Sequence, residues 1–317
     1  SPAPCRPDWK QARNKSARNP RITPMAAELL PQQPMAPDAR QRSLSKTHID
    51  VPAFMDYLGR LRREVDAVLA PQLPDFSGKP YPLGRCREIR DAVYDRLVAD
   101  IHQPRCATSL ALLSFIRGGG IGRKIWGVLR ESYFQNAMQF GTFYVDVAND
   151  TVNPAKPSIE ILPLTRSGMV SVSDFFHFAR IAESYWKCDS YANTAFPGVA
   201  AFFPIICVNR TGGGISLAPG SDQMIALTRS RNFQPALDFL KAAPSPPQPV
   251  LHELAKRQKV CTEQFLKSDG DAIAEVERAI SSAAYESDTY YASCVSAYRE
   301  FASLSEIKAA PRSENNI

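Results

Sequence analysis

The chain has 317 residues, of which 44% are hydrophobic and 22% are charged, a composition that allows a globular core. No stretch approaches the roughly 18 uncharged apolar residues of a membrane-spanning helix. These features predict a soluble, cytoplasmic protein that does not engage a membrane. The formal net charge of +6 lies within residues 1–47, and the remainder carries equal numbers of basic and acidic residues. A basic excess on the folded part, which is typical of proteins that bind nucleic acid, is therefore absent.

Residues 1–47 contain eight prolines and no helical or strand periodicity, which predicts a disordered, basic, proline-rich tail. Within the tail, Met25 is a plausible alternative start of translation. The seven cysteines form no CxxC pair, so we expect reduced thiols and no metal site. No cofactor can be inferred from the sequence.

Several helices are predicted in the first half of the chain. Apolar residues recur at helical spacing within 48–71 and again within 86–102. A short buried helix is expected just before Gly118. The glycines that follow are interpreted as the start of a long helix from Ile121 to Phe140, because its apolar residues also fit the helical period.

The residue pattern changes from helical to strand-like after Gly141. Residues 142–149 and 158–164 predict an antiparallel strand pair, 171–187 a helix, and 200–210 with 215–218 a hairpin. Helices follow to the end of the chain. The predicted fold class is α+β and helix-rich, with a small, mostly antiparallel central sheet of β-β-α-β-β order flanked by helices and a C-terminal helical element.

The predicted organisation has five parts. They are the disordered tail (1–47), an α+β main domain (48–242), a proline-rich linker (243–249), a C-terminal helical element packed on the main domain (250–309) and a short tail (310–317).

The stretch RGGGIGRK at 117–124 is the first candidate site. It matches neither the GxxxxGK[ST] phosphate loop nor the GxGxxG dinucleotide fingerprint. Glycine amides at a helix start, beside basic side chains, can still hold a phosphate or carboxylate. The alternative is a joint between two packed helices. The candidate residues of this anion-binding loop are Arg117, Gly119, Gly120, Gly122, Arg123 and Lys124.

Two further groups complete the candidate ligand site. Asp146, Asn149 and Asp150 lie where a predicted strand meets its loop and could supply polar or metal contacts, although such residues are more often an outward strand position and a turn. The second group, which could line the apolar part of a pocket or belong to the core, is Tyr185, Trp186 and Asn193.

The histidines provide no catalytic pair at sequence level. His177, Ser184 and Cys188 share a helical face, but steps of seven and eleven residues place them too far apart, since a helix rises about 1.5 Å per residue. Asp50 is interpreted as a helix cap and not as a metal ligand, and so is one residue of the pair Asp269 and Asp271.

Two hypotheses of function remain open. The first is a binding or transfer protein for a phosphate-bearing small ligand, a nucleotide or a sugar phosphate, held by the glycine and arginine loop at a helix start. The second is a non-catalytic interaction protein that uses its tail and C-terminal helices to engage a protein partner or a second copy. Catalytic residues are not identified in either case.

Overall fold

The structure, a computed structural model, describes residues 30–76 and 78–307. It confirms the predicted fold class, because helices dominate and the strands form small antiparallel sheets. The α-helices in this part of the chain are α1 (Ala39–His48), α2 (Val51–Gln72), α3 (Cys86–His102), α4 (Ala107–Arg117), α5 (Leu164–Ser167), α6 (Phe175–Tyr185), α7 (Asp222–Ser230), α8 (Gln234–Ala242), α9 (Gln248–Val260), α10 (Gln264–Lys267), α11 (Ala272–Ser281) and α12 (Asp288–Ile307).

The strands form three antiparallel sheets. They are β1 (Asp75–Phe76), β2 (Lys79–Pro80), β3 (Gly122–Leu129), β4 (Tyr133–Phe140), β5 (Phe143–Asp146), β6 (Glu160–Pro163), β7 (Met169–Val170), β8 (Cys188–Ala192), β9 (Ile205–Asn209) and β10 (Ile215–Ala218). The largest sheet has the order β6-β5-β4-β3-β7, a second has the order β10-β9-β8, and β1 pairs with β2.

The helices around residues 48–71 and 86–102 form as predicted. Helix α2 begins after Asp50, whose carboxylate accepts a hydrogen bond from Ala53 N at 2.9 Å. Its apolar face, which includes Leu58 and Leu61, is fully buried against α3 and the largest sheet. The Asp271 carboxylate likewise caps α11 by accepting from Ala274 N at 2.8 Å. Asp50 is therefore a cap, as the sequence indicates, and of the pair Asp269 and Asp271 the structure identifies Asp271 as the cap.

The predicted long helix from Ile121 to Phe140 is wrong, because these residues form the β3–β4 hairpin. Both faces of the hairpin are covered, so the alternation of polar and apolar residues that marks a half-exposed strand is missing. The turn at Arg130 and Glu131 also carries no glycine or asparagine, although both residues have positive φ, 54° and 52°. The sequence thus lacks both signals of a hairpin.

Part of the predicted tail is structured. Residues 30–47 include most of α1, and the segment before it runs beside the largest sheet, where Trp126 N donates to Gln32 O at 2.8 Å. The Gln139 side chain holds Met35 by hydrogen bonds to its N and O atoms, both of 2.8 Å. Backbone pairing replaces the hydrophobic burial that this polar segment lacks. Met25 lies outside the described residues.

The C-terminal helices share a core with the segment between β8 and β9. Phe196, Phe202 and Phe203 from that segment pack with residues of α9 to α12, among them Leu254 and Phe301. Residues 243–247 connect α8 to α9, so the last two residues of the predicted linker 243–249 belong to α9, and Pro244 O accepts a hydrogen bond from Ala192 N at 2.9 Å. Among the helices described, none combines the length and the apolarity needed to span a bilayer.

Candidate functional site

The glycine-rich bend at 118–120 lies at the end of a helix, where the sequence predicts the start of one. Helix α4 ends at Arg117, and Gly122 already belongs to β3. The helix macrodipole therefore presents its negative end to the bend, which disfavours an anion there. The predicted position of the loop, at a helix start, is wrong because the residues after it form a strand.

The amides of the bend are bonded within the protein. Those of residues 118–120 donate to carbonyl groups in the last turn of α4 at 2.8 to 2.9 Å. The next amide, of Ile121, donates to Gln41 Oε1 at 2.9 Å. An anion could use these amides only by displacing a protein acceptor, at a cost comparable to that of a buried hydrogen bond.

Helix α1 covers the bend from outside. The Arg40 guanidinium donates to Gly118 O at 2.7 Å, and Gln41 Nε2 donates to Gly119 O at 2.9 Å. Gly119 has a φ of 86°, a conformation that side-chain-bearing residues rarely adopt. A Cβ on Gly120 would lie 2.5 Å from the ring of Phe115. These contacts explain the glycines as a tight connection between α4 and β3.

The basic side chains of the stretch do not converge. Arg117 is exposed at the end of α4, whereas Arg123 Nη2 donates to Leu30 O at 3.3 Å. Lys124 follows Arg123 in β3, so its side chain lies on the opposite face of the sheet. The structure therefore separates the three cations that the sequence brings together.

Asp146 lies inside the protein, at 1% exposure. Its carboxylate accepts hydrogen bonds from Gln135 Nε2 at 2.6 Å, from Tyr144 Oη at 3.3 Å and from Ala148 N at 2.8 Å. Burial raises the pKa of Asp146 to about 7, against the opposing effect of the Ala148 hydrogen bond. Its partners are protein groups, and it does not line the cleft described below.

Asn149 and Asp150 have structural partners of their own. Asp150 pairs with Arg62, a buried guanidinium, at 3.0 Å, and Arg62 also donates to Val147 O at 2.6 Å. Asn149 Nδ2 donates to Pro157 O at 3.0 Å and so closes the connection between β5 and β6. Both residues hold α2 and this connection against the sheet.

The residues of the third predicted group, Tyr185, Trp186 and Asn193, lie in different surroundings. Tyr185 packs its ring on that of Tyr133 at 5.7 Å between centroids, and Asn193 is fully buried with Nδ2 donating to Phe203 O at 2.8 Å. Trp186 is 45% exposed and lines an open cleft. Lys124 lines the same cleft. Of the twelve residues predicted for the site, the structure brings these two together.

The cleft has a volume of about 670 Å³ and opens over one face of β3 and β4. Residues of α3, α6, β9, β10 and α12 line it, together with the start of α7 and Gln32. The register of β3 on β4 pairs Lys124 with Met138 and Trp126 with Asn136 on this face. Its size is that of typical small-molecule sites, which run from about 300 to 1,000 Å³.

The wall formed by α3 and β3, which we call the basic wall, consists of Arg87, Arg90, Asp91 and Lys124. Asp91 Oδ1 lies 2.8 Å from Arg90 Nε and 3.2 Å from Lys124 Nζ. One carboxylate therefore serves two cations. Burial lowers the pKa of Arg90, which Asp91 partly offsets. Arg87 is exposed and forms no ion pair with any residue that the structure describes. The basic wall thus carries excess positive charge.

An aromatic cluster forms the adjoining part of the cleft. Trp126 stacks on Phe134 at 5.3 Å with 13° between the rings, and Phe134 contacts Trp186 at 4.7 Å. Because Trp126 is 8% exposed and Trp186 45%, the first belongs to the wall and the second offers an open ring face.

Several residues that line the cleft are not identified as site residues by the sequence. Arg87, Arg90 and Asp91 lie within the second predicted helix, where alternating charges indicate a solvated face. Trp126 is placed in the incorrectly predicted helix. The signal that could have identified Arg90 is its spacing of three residues from Val93 and seven from Leu97, which places it on the buried side of α3, where a charged residue needs a partner.

No group of three or more His, Cys, Asp or Glu residues in the described part of the chain is arranged to hold a metal ion. Comparison with protein-family models, curated proteins and solved structures gives no match. The geometry of the cleft is therefore the basis for a functional proposal.

Proposed function

We propose that the protein binds a phosphate-bearing small molecule, a nucleotide or a sugar phosphate, in the cleft over β3 and β4. The observation that carries this proposal is the excess positive charge of the basic wall in the same cleft as the exposed ring of Trp186. The anion contacts come from the basic wall and not from the glycine bend, whose amides are engaged elsewhere.

Arg87 is the primary anion contact. Its exposed guanidinium can present two parallel N–H groups to a phosphate, and no ion pair with a described residue has to break first. Lys124 adds a second cation, held at 3.2 Å by Asp91.

The ring or sugar of the ligand packs on Trp186. An exposed indole face gains from covering a base or the apolar face of a sugar. Asp222, at the start of α7, also lines the cleft and adds negative charge there. The ligand is therefore oriented with its phosphate toward α3 and its uncharged part toward α7.

Thermal unfolding with AMP, adenosine, glucose 6-phosphate and inorganic phosphate tests the proposal. We expect AMP or glucose 6-phosphate to raise Tm at millimolar concentration, and adenosine or phosphate alone to raise it less. A ligand at about 100 times its Kd stabilises a protein by about 2.7 kcal/mol, which is a readily measured shift.

Arg87→Ala should abolish the shift, whereas Arg117→Ala, which removes an exposed arginine outside the cleft, should leave it unchanged. If Arg117→Ala loses the Tm shift and Arg87→Ala keeps it, the anion binds at the glycine bend and not at the basic wall. The absence of any shift with all four compounds would refute phosphate binding.

The interaction hypothesis remains a prediction. The C-terminal helices place large apolar side chains such as Leu254 and Phe301 in a shared core with the body, so these side chains are not available to a partner. Residues 1–29 of the predicted tail lie outside the described part of the chain.

A further inference from the structure

A second open cleft lies where the β3–β4 turn meets the start of α6. Its volume is about 720 Å³. Val170 and Phe176, which are 40% and 44% exposed, supply apolar walls. Six residues with polar side chains line it as well, Glu131, Ser171, Ser173, Asp174, His177 and Arg180. A hydroxyl, an imidazole and a carboxylate therefore lie in one cleft.

The His177 ring is fixed between two groups, and its side chain is only 10% exposed. Solvent does not reach Nε2, which makes no well-aligned hydrogen bond but lies 3.2 Å from Glu131 Oε2. Glu131 is itself held by Arg180 Nη2 at 2.7 Å. A carboxylate facing Nε2 stabilises a proton on that nitrogen.

The other ring nitrogen faces Ser173. Nδ1 lies 3.3 Å from Ser173 N and 3.3 Å from Ser173 Oγ. Because a backbone amide can only donate, Nδ1 must be the unprotonated acceptor, and the proton of the neutral ring is on Nε2. The serine hydroxyl therefore lies next to a basic nitrogen. It also lies 3.0 Å from Asp174 Oδ2, which competes for its proton.

Helix capping accounts for only part of this arrangement. Asp174 caps α6 by accepting a hydrogen bond from His177 N at 2.7 Å, and the contact of Nδ1 with Ser173 N closes the same turn. Capping requires neither Glu131 on the far side of the ring nor an open cleft with apolar walls. Glu131 comes from a distant turn, where its φ is 52°.

We propose that Ser173 is a nucleophile activated by His177 and that Glu131 is a positioning residue, in a site that hydrolyses small esters with an apolar acyl group. This site is independent of the phosphate-binding cleft. The acyl group lies against Val170 and Phe176, and the carbonyl carbon lies next to Ser173 Oγ.

The reaction needs only water as its second reactant. Ser173 Oγ forms a bond to the carbonyl carbon and its proton passes to His177 Nδ1, after which the bond to the alcohol oxygen breaks and that oxygen takes the proton. Water then attacks the acyl-serine, giving a proton to Nδ1. The acyl–Oγ bond breaks, Oγ recovers its proton, and the net reaction converts ester and water into acid and alcohol.

Labelling of the full chain with an alkyl fluorophosphonate tests the proposal without a known substrate. We expect one equivalent of phosphonate per protein by intact mass, located at Ser173 by peptide mapping. Ser173→Ala should lose the label, and the neighbouring Ser171→Ala should keep it. Unlabelled wild-type protein, or a label on a residue other than Ser173, would overturn the proposal.

Two variants separate chemistry from folding. His177→Gln should lower the labelling rate by about 10²-fold, the usual contribution of a general base. Glu131→Gln should lower it less, with an unchanged Tm, because Glu131 acts through the ring and not on the serine. Labelling rates equal to wild type in both variants would show that Ser173 reacts without this arrangement and would also overturn the proposal.

Discussion

Asp146 illustrates how one buried carboxyl links structure to pH. Its folded pKa of about 7 lies above the value of about 3.9 that an unfolded chain has. Between these values the folded state binds the proton more tightly than the unfolded state does. Stability therefore falls as pH rises from about 4 to about 7, by an amount on the order of 4 kcal/mol, and then levels off.

Asp146→Asn should remove this dependence, because the amide stays neutral when buried. We expect the free energy of unfolding, measured with urea at several pH values, to decline from pH 5 to 8 in the wild type and to stay flatter in the variant. Asp56→Asn, at an exposed position of α2, should follow the wild type. An equal decline in wild type and Asp146→Asn would assign the effect to another group.

For single residues, the sequence indicates roles that depend on neighbours in the chain more easily than it indicates which distant residues lie together in the fold. Asp50 is recognisable as a cap because capping depends on neighbours in the chain. Arg87 and Trp186 meet only in the folded protein, since α3 and α6 are brought together by the β3–β4 hairpin. No local sequence pattern indicates that these two residues line the same cleft.

Among the elements, α1 has the clearest structural role, which is to secure the glycine bend. Gln41 is 4% exposed and bonds to both Gly119 O and Ile121 N. Gln41→Ala would leave two backbone groups unpaired, at about 1–3 kcal/mol each. We expect the variant to lose on the order of 2 kcal/mol of unfolding free energy in urea denaturation.

Lys46→Ala, an exposed position of the same helix, is the matched control and should change stability by less than about 0.5 kcal/mol. If Gln41→Ala is as stable as this control, the bend is held by α4 and β3 alone.

The elements predicted correctly carry a local sequence pattern that matches their structure. Helices α2 and α3 show a clean apolar stripe, and β5 with β6 shows partial alternation near turn residues. The β3–β4 hairpin is covered on both faces and turns without glycine, so its apolar residues fit a helix by coincidence.

On the scale of the whole molecule, the C-terminal helices share a hydrophobic core with the part of the body that contains β8, β9 and β10. Phe301 of α12 is 1% exposed and packs edge-on against Phe196 at 5.2 Å. Phe301→Ala should cost about 3–5 kcal/mol. Because Trp126 and Trp186 lie in the body, we expect their fluorescence transition in urea to shift together with the helical signal in circular dichroism.

Val260→Ala, at a 62% exposed position of α9, should leave both transitions in place. A helical transition that moves without the tryptophan signal would indicate that the C-terminal helices unfold as a separate unit.

The cleft over β3 and β4 has a consequence for the order of events during synthesis. It is lined by Gln32 and by Tyr298, whose ring stacks on Phe203 at 4.5 Å. A ribosome must therefore translate almost the entire described chain before this cavity can close around anything. Ligand capture then requires both Gln32 and Tyr298 to be in place, and two fragments produced by a cut between these two residues would have to reassemble before they could bind.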